Sequence, residues 1–72
     1  IDDANEAADL ANEKVLQAAV NMFFMETNGY PDNFNDLTSG NYINEIPTPQ
    51  VSGWEFDYDS DNGVVTYQEI SE

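Results

Sequence analysis

The longest uninterrupted segment of the chain sets the strongest limit on its fold. Residues 3–27 read DANEAADLANEKVLQAAVNMFFMET and contain neither glycine nor proline. Asn28-Gly29 follows, with Pro31 just beyond, and this composition is typical of a helix C-terminus. The sequence therefore predicts one long helix that takes up more than a third of a 72-residue chain.

The predicted helix carries two apolar lines of different length. At about 100° per residue, one narrow line of small or flexible side chains runs along the whole helix, and a wider apolar face exists only in the C-terminal half. In the first half, Asp9 and its polar neighbours lie opposite the narrow line, and we expect them to face water. The wide face suits packing on a sheet, whereas the narrow line suits close approach of another helix. The narrow line, called the alanine line below, comprises Ala4, Ala8, Ala11, Val15, Ala18, Met22 and Met25, and the wide face adds Leu16, Ala19, Val20 and Phe23.

Two β-rich runs near the C-terminus predict a hairpin. In WEFDYD, residues 54–59, aromatic and acidic residues alternate, which is the period of a strand with one buried face. VVTYQEI follows after residues 60–63, and Asn62-Gly63 between two such runs is a strong hairpin signal. We expect residues 54–58 to pair with residues 64–70 and to pack on the wide apolar face of the helix.

The segment between helix and hairpin reads as a connecting loop, because residues 30–50 contain all three prolines and many Asn and Asp residues. A helical turn is expected at residues 35–38, and a short edge strand at Tyr42-Ile43. The prediction is an α+β fold, with a long N-terminal α-helix packed on a small antiparallel β-sheet. Its single domain, residues 1–72, divides into a helix at 1–28, a loop region at 29–53 and a β-hairpin at 54–70. The expected loop anchors to the core are Phe34, Leu37, Tyr42 and Ile43.

The charge balance excludes several classes of function. Fifteen Asp and Glu residues face a single basic residue, Lys14, and the formal net charge is −14. A field this negative repels nucleic acid and anionic lipid headgroups. Histidine and cysteine are absent, so the chain lacks the usual nucleophile–base pairs and cannot form disulfides. We expect no enzymatic activity and no nucleic-acid partner.

The acidic stretch DYDSDNG, residues 57–63, has two interpretations. Asp57, Asp59 and Asp61 fit the first three ligand positions of an EF-hand loop, and Asn62 could add an oxygen. The rest of the stretch departs from the EF-hand pattern. Gly63 lies one position after the place of the conserved glycine, Gln68 stands where the EF-hand has glutamate, and strands rather than helices are expected to flank the loop. An EF-hand is therefore rejected. A looser Ca²⁺ site at Asp57, Asp59, Asp61 and Asn62 stays open, but a solvated acidic hairpin tip is the favoured interpretation.

The assembled motifs resemble the type IV pilins and the major pseudopilins of type II secretion. The likeness lies in ANEKVLQAAVNMFFMETNGYP at residues 11–31, in GNYINEIPTP at 40–49 and in the aromatic-rich hairpin WEFDYDSDNGVVTYQ. It covers residues 4–68 and rests on several motifs in order. The chain departs from the family in lacking the C-terminal disulfide of many pilins. It also lacks the clear proline-tryptophan-glycine segment of many pseudopilins.

The resemblance implies a filament subunit, from a type IV pilus or a pseudopilus, located outside the cell or at its surface. Members of the family begin with a hydrophobic helical half that anchors the subunit in the membrane before assembly, so Ile1 is expected to lie within a longer helix. The partners implied are further copies of the chain, other pilin-like subunits and an inner-membrane assembly platform. The expected filament interface is Ala4, Ala8, Ala11, Val15, Ala18 and Met22. The alternative function is a free-standing calcium-binding or adhesion module.

Overall fold

The computed structural model describes residues 3–70, which form two helices and a hairpin. Helix α1 spans Asp3–Thr27, helix α2 spans Asn35–Ser39, and strands β1 and β2 span Trp54–Asp59 and Val64–Glu69. The predicted α+β class, a long helix with a small antiparallel sheet, is confirmed. Positions 1 and 2 of the predicted helix lie outside the described residues.

Helix α1 ends at Thr27, directly before the predicted stop at Asn28-Gly29. Asn28 adopts a left-handed backbone conformation with φ of 65°. Its N–H donates to the carbonyl oxygen of Phe24 at 2.8 Å, which satisfies one of the carbonyls left free in the last turn. Asparagine tolerates this conformation better than most residues, because its short polar side chain can hydrogen-bond locally.

The two strands pair in the expected antiparallel hairpin. The register places Trp54 opposite Glu69, Phe56 opposite Tyr67 and Tyr58 opposite Val65. A four-residue loop, 60–63, joins them, and only its last residue, Gly63, has a left-handed backbone, with φ of 67°. The N–H of Gly63 donates to the carbonyl oxygen of Asp59 at 2.7 Å, which closes the loop.

A small core lies between the C-terminal half of α1, helix α2 and the hairpin. Helix α1 packs chiefly against β2. The expected loop anchors all take part, because Leu37 is fully buried and Phe34, Tyr42 and Ile43 pack against the cluster. The buried residues are Leu16, Ala19, Val20, Leu37 and Val65.

The edge strand expected at Tyr42-Ile43 is wrong for the part of the chain that the structure describes, in which the sheet consists of β1 and β2. Helix α2, by contrast, confirms the expected helical turn. The N–H groups of Tyr42 and Ile43 both donate to the carbonyl oxygen of Leu37, at 2.8 and 3.4 Å. These amides close the end of α2 and are therefore not available to a sheet.

Candidate functional site

The alanine line is exposed along the whole of α1. Val15, Met22 and Met25 retain 49%, 53% and 82% of their accessible surface, whereas Leu16 and Val20 on the opposite face retain none. Apolar side chains this exposed, aligned on one face, mark a surface suited to another apolar surface. Their role as a filament interface stays a prediction. The other exposed members of the line are Ala4, Ala8, Ala11 and Ala18.

An apolar groove continues the alanine line toward the loop that follows α2. The groove has a volume of about 220 Å³ and is open to solvent. Tyr42 forms part of its wall and also packs against Phe23, with ring centroids 5.3 Å apart. The exposed apolar surface of α1 therefore extends sideways onto the body of the domain. The lining residues are Val15, Ala18, Ala19, Met22, Tyr42 and Ile43.

The prediction that Asp9 faces water is wrong, because its side chain is fully buried. One carboxylate oxygen accepts a hydrogen bond from the N–H of Gln50 at 2.7 Å, and the other accepts one from the N–H of Val51 at 3.1 Å. The hydroxyl of Tyr67 on β2 also donates to this second oxygen. A buried carboxylate is tolerated only when hydrogen bonds replace water, and here three donors do so.

These contacts shift two pKa values in opposite directions. Burial by itself raises the pKa of Asp9, but the donors from Tyr67, Gln50 and Val51 outweigh it and hold that pKa below its ordinary value. Burial and the hydrogen bond to Asp9 raise the pKa of Tyr67 to about 12. The charged Asp9 therefore ties α1 to both the loop before the hairpin and β2.

A second side chain of α1, Gln17, bonds directly to the backbone of the hairpin. Its Nε2 donates to the carbonyl oxygen of Gly63 at 2.8 Å, and its Oε1 accepts from the N–H of Val65, also at 2.8 Å. The side-chain amide thus occupies the position that a neighbouring strand would take beside β2. Gln17 was not among the residues singled out from the sequence, because a glutamine on a helix is ordinarily solvated.

At the hairpin tip, Asp59 stabilises the turn through its own side chain. Its Oδ1 accepts from the N–H groups of Asp61 and Asn62 at 2.9 and 3.3 Å, and its Oδ2 accepts from Nδ2 of Asn62 at 2.8 Å. The hydrogen bonds from Asn62 and Asp61 hold the pKa of Asp59 below its ordinary value. This arrangement is typical of an aspartate that supports a turn.

The proposed cation ligands are not gathered around a common point. Asp57 lies on the solvated face of β1, and both oxygens of Asp59 already accept hydrogen bonds within the turn. Over residues 3–70 there is no group of three acidic side chains placed to hold a metal ion. Binding of Ca²⁺ at Asp57, Asp59, Asp61 and Asn62 therefore stays a prediction that the geometry of the tip does not favour.

Among the described residues, neither helix has the length and hydropathy required to cross a bilayer. Comparisons with protein-family models, with characterised proteins and with solved structures give no match to this chain.

Proposed function

We propose that this chain is a structural subunit of a helical filament, of the type IV pilus or pseudopilus kind, assembled through α1. The observation that carries the proposal is that the alanine line is exposed, whereas the opposite face of α1 is buried against the rest of the domain. Leu16 and Val20 are buried in the core and Asp9 is buried against the loop and β2, so α1 is held firmly on one side only. Met22 and Met25 on the other side stay more than half exposed.

The shape of the domain supports the same proposal. A helix of 25 residues is about 37 Å long at 1.5 Å per residue. The longest extent of the molecule is 39 Å, so α1 runs along nearly its full length. A rod that offers small apolar side chains at helical spacing allows neighbouring helices to approach closely. The remaining, strongly acidic surface then faces outward from the filament, where its charge is solvated.

Substitutions in the alanine line test the proposal. In the full-length gene product, Ala8→Glu and Ala11→Arg place a charge between packed helices, where desolvation is costly, and should abolish filaments seen by electron microscopy. Both positions are exposed in the isolated domain, so the circular dichroism spectrum and melting temperature of residues 1–72 should change little.

Asn21→Glu is the matched control, because Asn21 is exposed on α1 but lies off the alanine line. It adds the same charge as Ala8→Glu and should leave filaments intact. Normal filaments from both alanine-line variants would refute the assembly role. The coding sequence upstream of Ile1 gives an independent test, since the proposal requires an apolar run of about 20 residues there.

A further inference from the structure

One edge of the hairpin leaves backbone groups without partners in the described chain. The N–H of Val65 donates to Gln17, and the N–H of Ile70 donates to the carbonyl oxygen of Gly53. In an antiparallel pair, hydrogen-bonded and non-hydrogen-bonded residue pairs alternate along the strands. The two bonds above show which pairs are which, so alternate residues of β1 direct their N–H and C=O groups away from β2; this alternation is called the phase below. Phe56 and Tyr58 are in this phase, so their N–H and C=O groups point away from β2, and neither loop backbone nor side chains within residues 3–70 bond these groups.

The two edges of the hairpin differ in whether their outward-facing backbone groups have hydrogen-bond partners within residues 3–70. On the β2 side, Gln17 of α1 occupies the backbone groups of Gly63 and Val65. On the β1 side, Phe56 and Tyr58 face outward, and within the described part of the chain their N–H donors and C=O acceptors stay free. An open edge of this kind is a template for another extended chain.

The charge around the open edge selects the kind of chain that fits. Glu55, Asp57 and Asp59 alternate with the aromatic residues of β1 and therefore share its opposite face. Asp32 and Asp36 lie near the hydroxyl of Tyr58, and their charges help to raise the pKa of Tyr58, after the larger effect of burial. Carboxylates thus occupy both the solvated face of β1 and the neighbouring loop.

We propose that the outer edge of β1 is a docking site for an extended peptide segment in which lysine or arginine alternates with uncharged residues. The backbone of the segment pairs with Phe56 and Tyr58, which offer four hydrogen-bonding groups between them. Its basic side chains lie on the face that carries Glu55 and Asp57, and its uncharged side chains lie on the other face. This site is separate from the alanine line and does not depend on the filament proposal.

A second copy of the chain is a poor occupant of the same edge. Antiparallel pairing of β1 with its own copy about Asp57 places Asp57 opposite Asp57, and Glu55 opposite Asp59. Like charges directly opposite each other destabilise a strand pair. The chain has one basic residue, Lys14, and it lies on α1, so it cannot offset this repulsion.

The test uses a synthetic peptide in which lysine alternates with valine, blocked at both ends, added to residues 1–72. We expect binding to slow hydrogen exchange at the N–H groups of Phe56 and Tyr58 by about tenfold or more, measured by NMR. A peptide of the same sequence with N-methylated backbone nitrogens keeps its charge, but it lacks the N–H donors and its methyl groups prevent close approach to the strand edge, so it should not give this protection. A peptide with glutamate in place of lysine should not bind.

Two protein variants separate the edge from the overall charge. Asp57→Lys reverses a charge beside the edge and should weaken binding about tenfold. Glu26→Lys makes the same change in net charge on exposed α1, and should alter binding by less than about twofold. Equal binding of the methylated peptide, equal effects of the two variants, or self-association of the chain through β1 would each overturn the proposal, as would absence of binding.

Discussion

At the scale of single residues, Asp9 has the largest influence on how α1 sits on the domain. Its carboxylate accepts three hydrogen bonds, from Gln50, Val51 and Tyr67, and its lowered pKa means that the folded state favours the charged form. Such a group stabilises the fold above its unfolded pKa, and that stabilisation is lost as pH falls through the folded pKa. We therefore expect the contribution of Asp9 to be complete at neutral pH, to begin to decline near its unfolded pKa of about 3.9, and to disappear only below its lower folded pKa.

The substitution Asp9→Asn tests this contribution directly. Asparagine has the same shape, but its NH₂ group faces N–H and O–H donors, so at least one buried donor loses its acceptor. We expect a melting temperature at pH 7 lower by roughly 5–10 °C and a weaker acid dependence than in the parent chain. Trp54, the single tryptophan, stacks on Tyr67 with ring centroids 4.8 Å apart. Its fluorescence therefore reports on the contact between Tyr67 and Asp9.

Asp57→Asn is the control for Asp9→Asn, because Asp57 is an exposed aspartate in the hairpin. It should leave the melting temperature nearly unchanged, or raise it slightly by reducing repulsion. If the two variants melt alike at pH 7, the buried carboxylate does not stabilise the fold.

Asp9 also indicates why part of the structure could not be predicted from the sequence. Asp9 precedes Leu16 by seven residues and Val20 by eleven, so helical spacing places it on the same face as these two core residues. That spacing indicated a position facing the core, but a carboxylate on a helix is ordinarily solvated. Its donors come from the Gln50-Val51 backbone, whose path depends on tertiary structure. The helical spacing was thus compatible with a core-facing position for Asp9, but it could not predict the partners that make such a position favourable.

At the scale of elements, the hairpin is held to α1 by a close contact at Gly63. A Cβ atom added at Gly63 would overlap two ring carbons of Tyr30, and that ring stacks on Phe24 of α1, with ring centroids 4.5 Å apart. Gly63 thus meets two requirements, a left-handed backbone and room for an aromatic ring. The hairpin itself could be predicted from alternation and Asn62-Gly63, whereas the contact with Tyr30 could not.

Gly63→Ala and Gly53→Ala separate these two requirements. Both glycines have left-handed φ values, 67° and 86°, but no atom lies within 4 Å of a Cβ added at Gly53. Gly53→Ala should cost only the backbone strain, about 1–2 kcal/mol of unfolding free energy. Gly63→Ala should cost roughly a further 1–3 kcal/mol, because the ring of Tyr30 must move away from Phe24.

Urea unfolding of the two glycine variants measures this difference. The loss of the ring contact can be followed separately by the NMR shifts of Phe24. Equal losses of stability in the two variants would mean that Tyr30 moves aside without cost, and that the tip of the hairpin is not fixed to α1 by this contact.

At the scale of the whole molecule, the dominant property is a net charge of −14 on a body whose smallest extent is 15 Å. The Debye length is about 10 Å at 0.1 M salt, so many carboxylates repel one another at low ionic strength. With one lysine per subunit, salt bridges between copies cannot offset this repulsion. We therefore expect both the melting temperature of the domain and the stability of filaments to rise with added salt.

A comparison of Ca²⁺ with Mg²⁺ distinguishes general screening of the carboxylates from binding at a specific calcium site. Because Asp59 already supports the hairpin turn with both oxygens, we expect CaCl₂ and MgCl₂ at equal ionic strength to raise the melting temperature by similar amounts. A larger rise with Ca²⁺, reversed by EDTA and abolished by Asp59→Asn or Asp61→Asn, would instead establish a calcium site at residues 57–62. A melting temperature indifferent to ionic strength would mean that repulsion among the carboxylates does not destabilise the domain. Filament stability that is likewise indifferent to ionic strength would mean that repulsion between subunits does not limit assembly, and that apolar contact along the alanine line sets filament stability without electrostatic opposition.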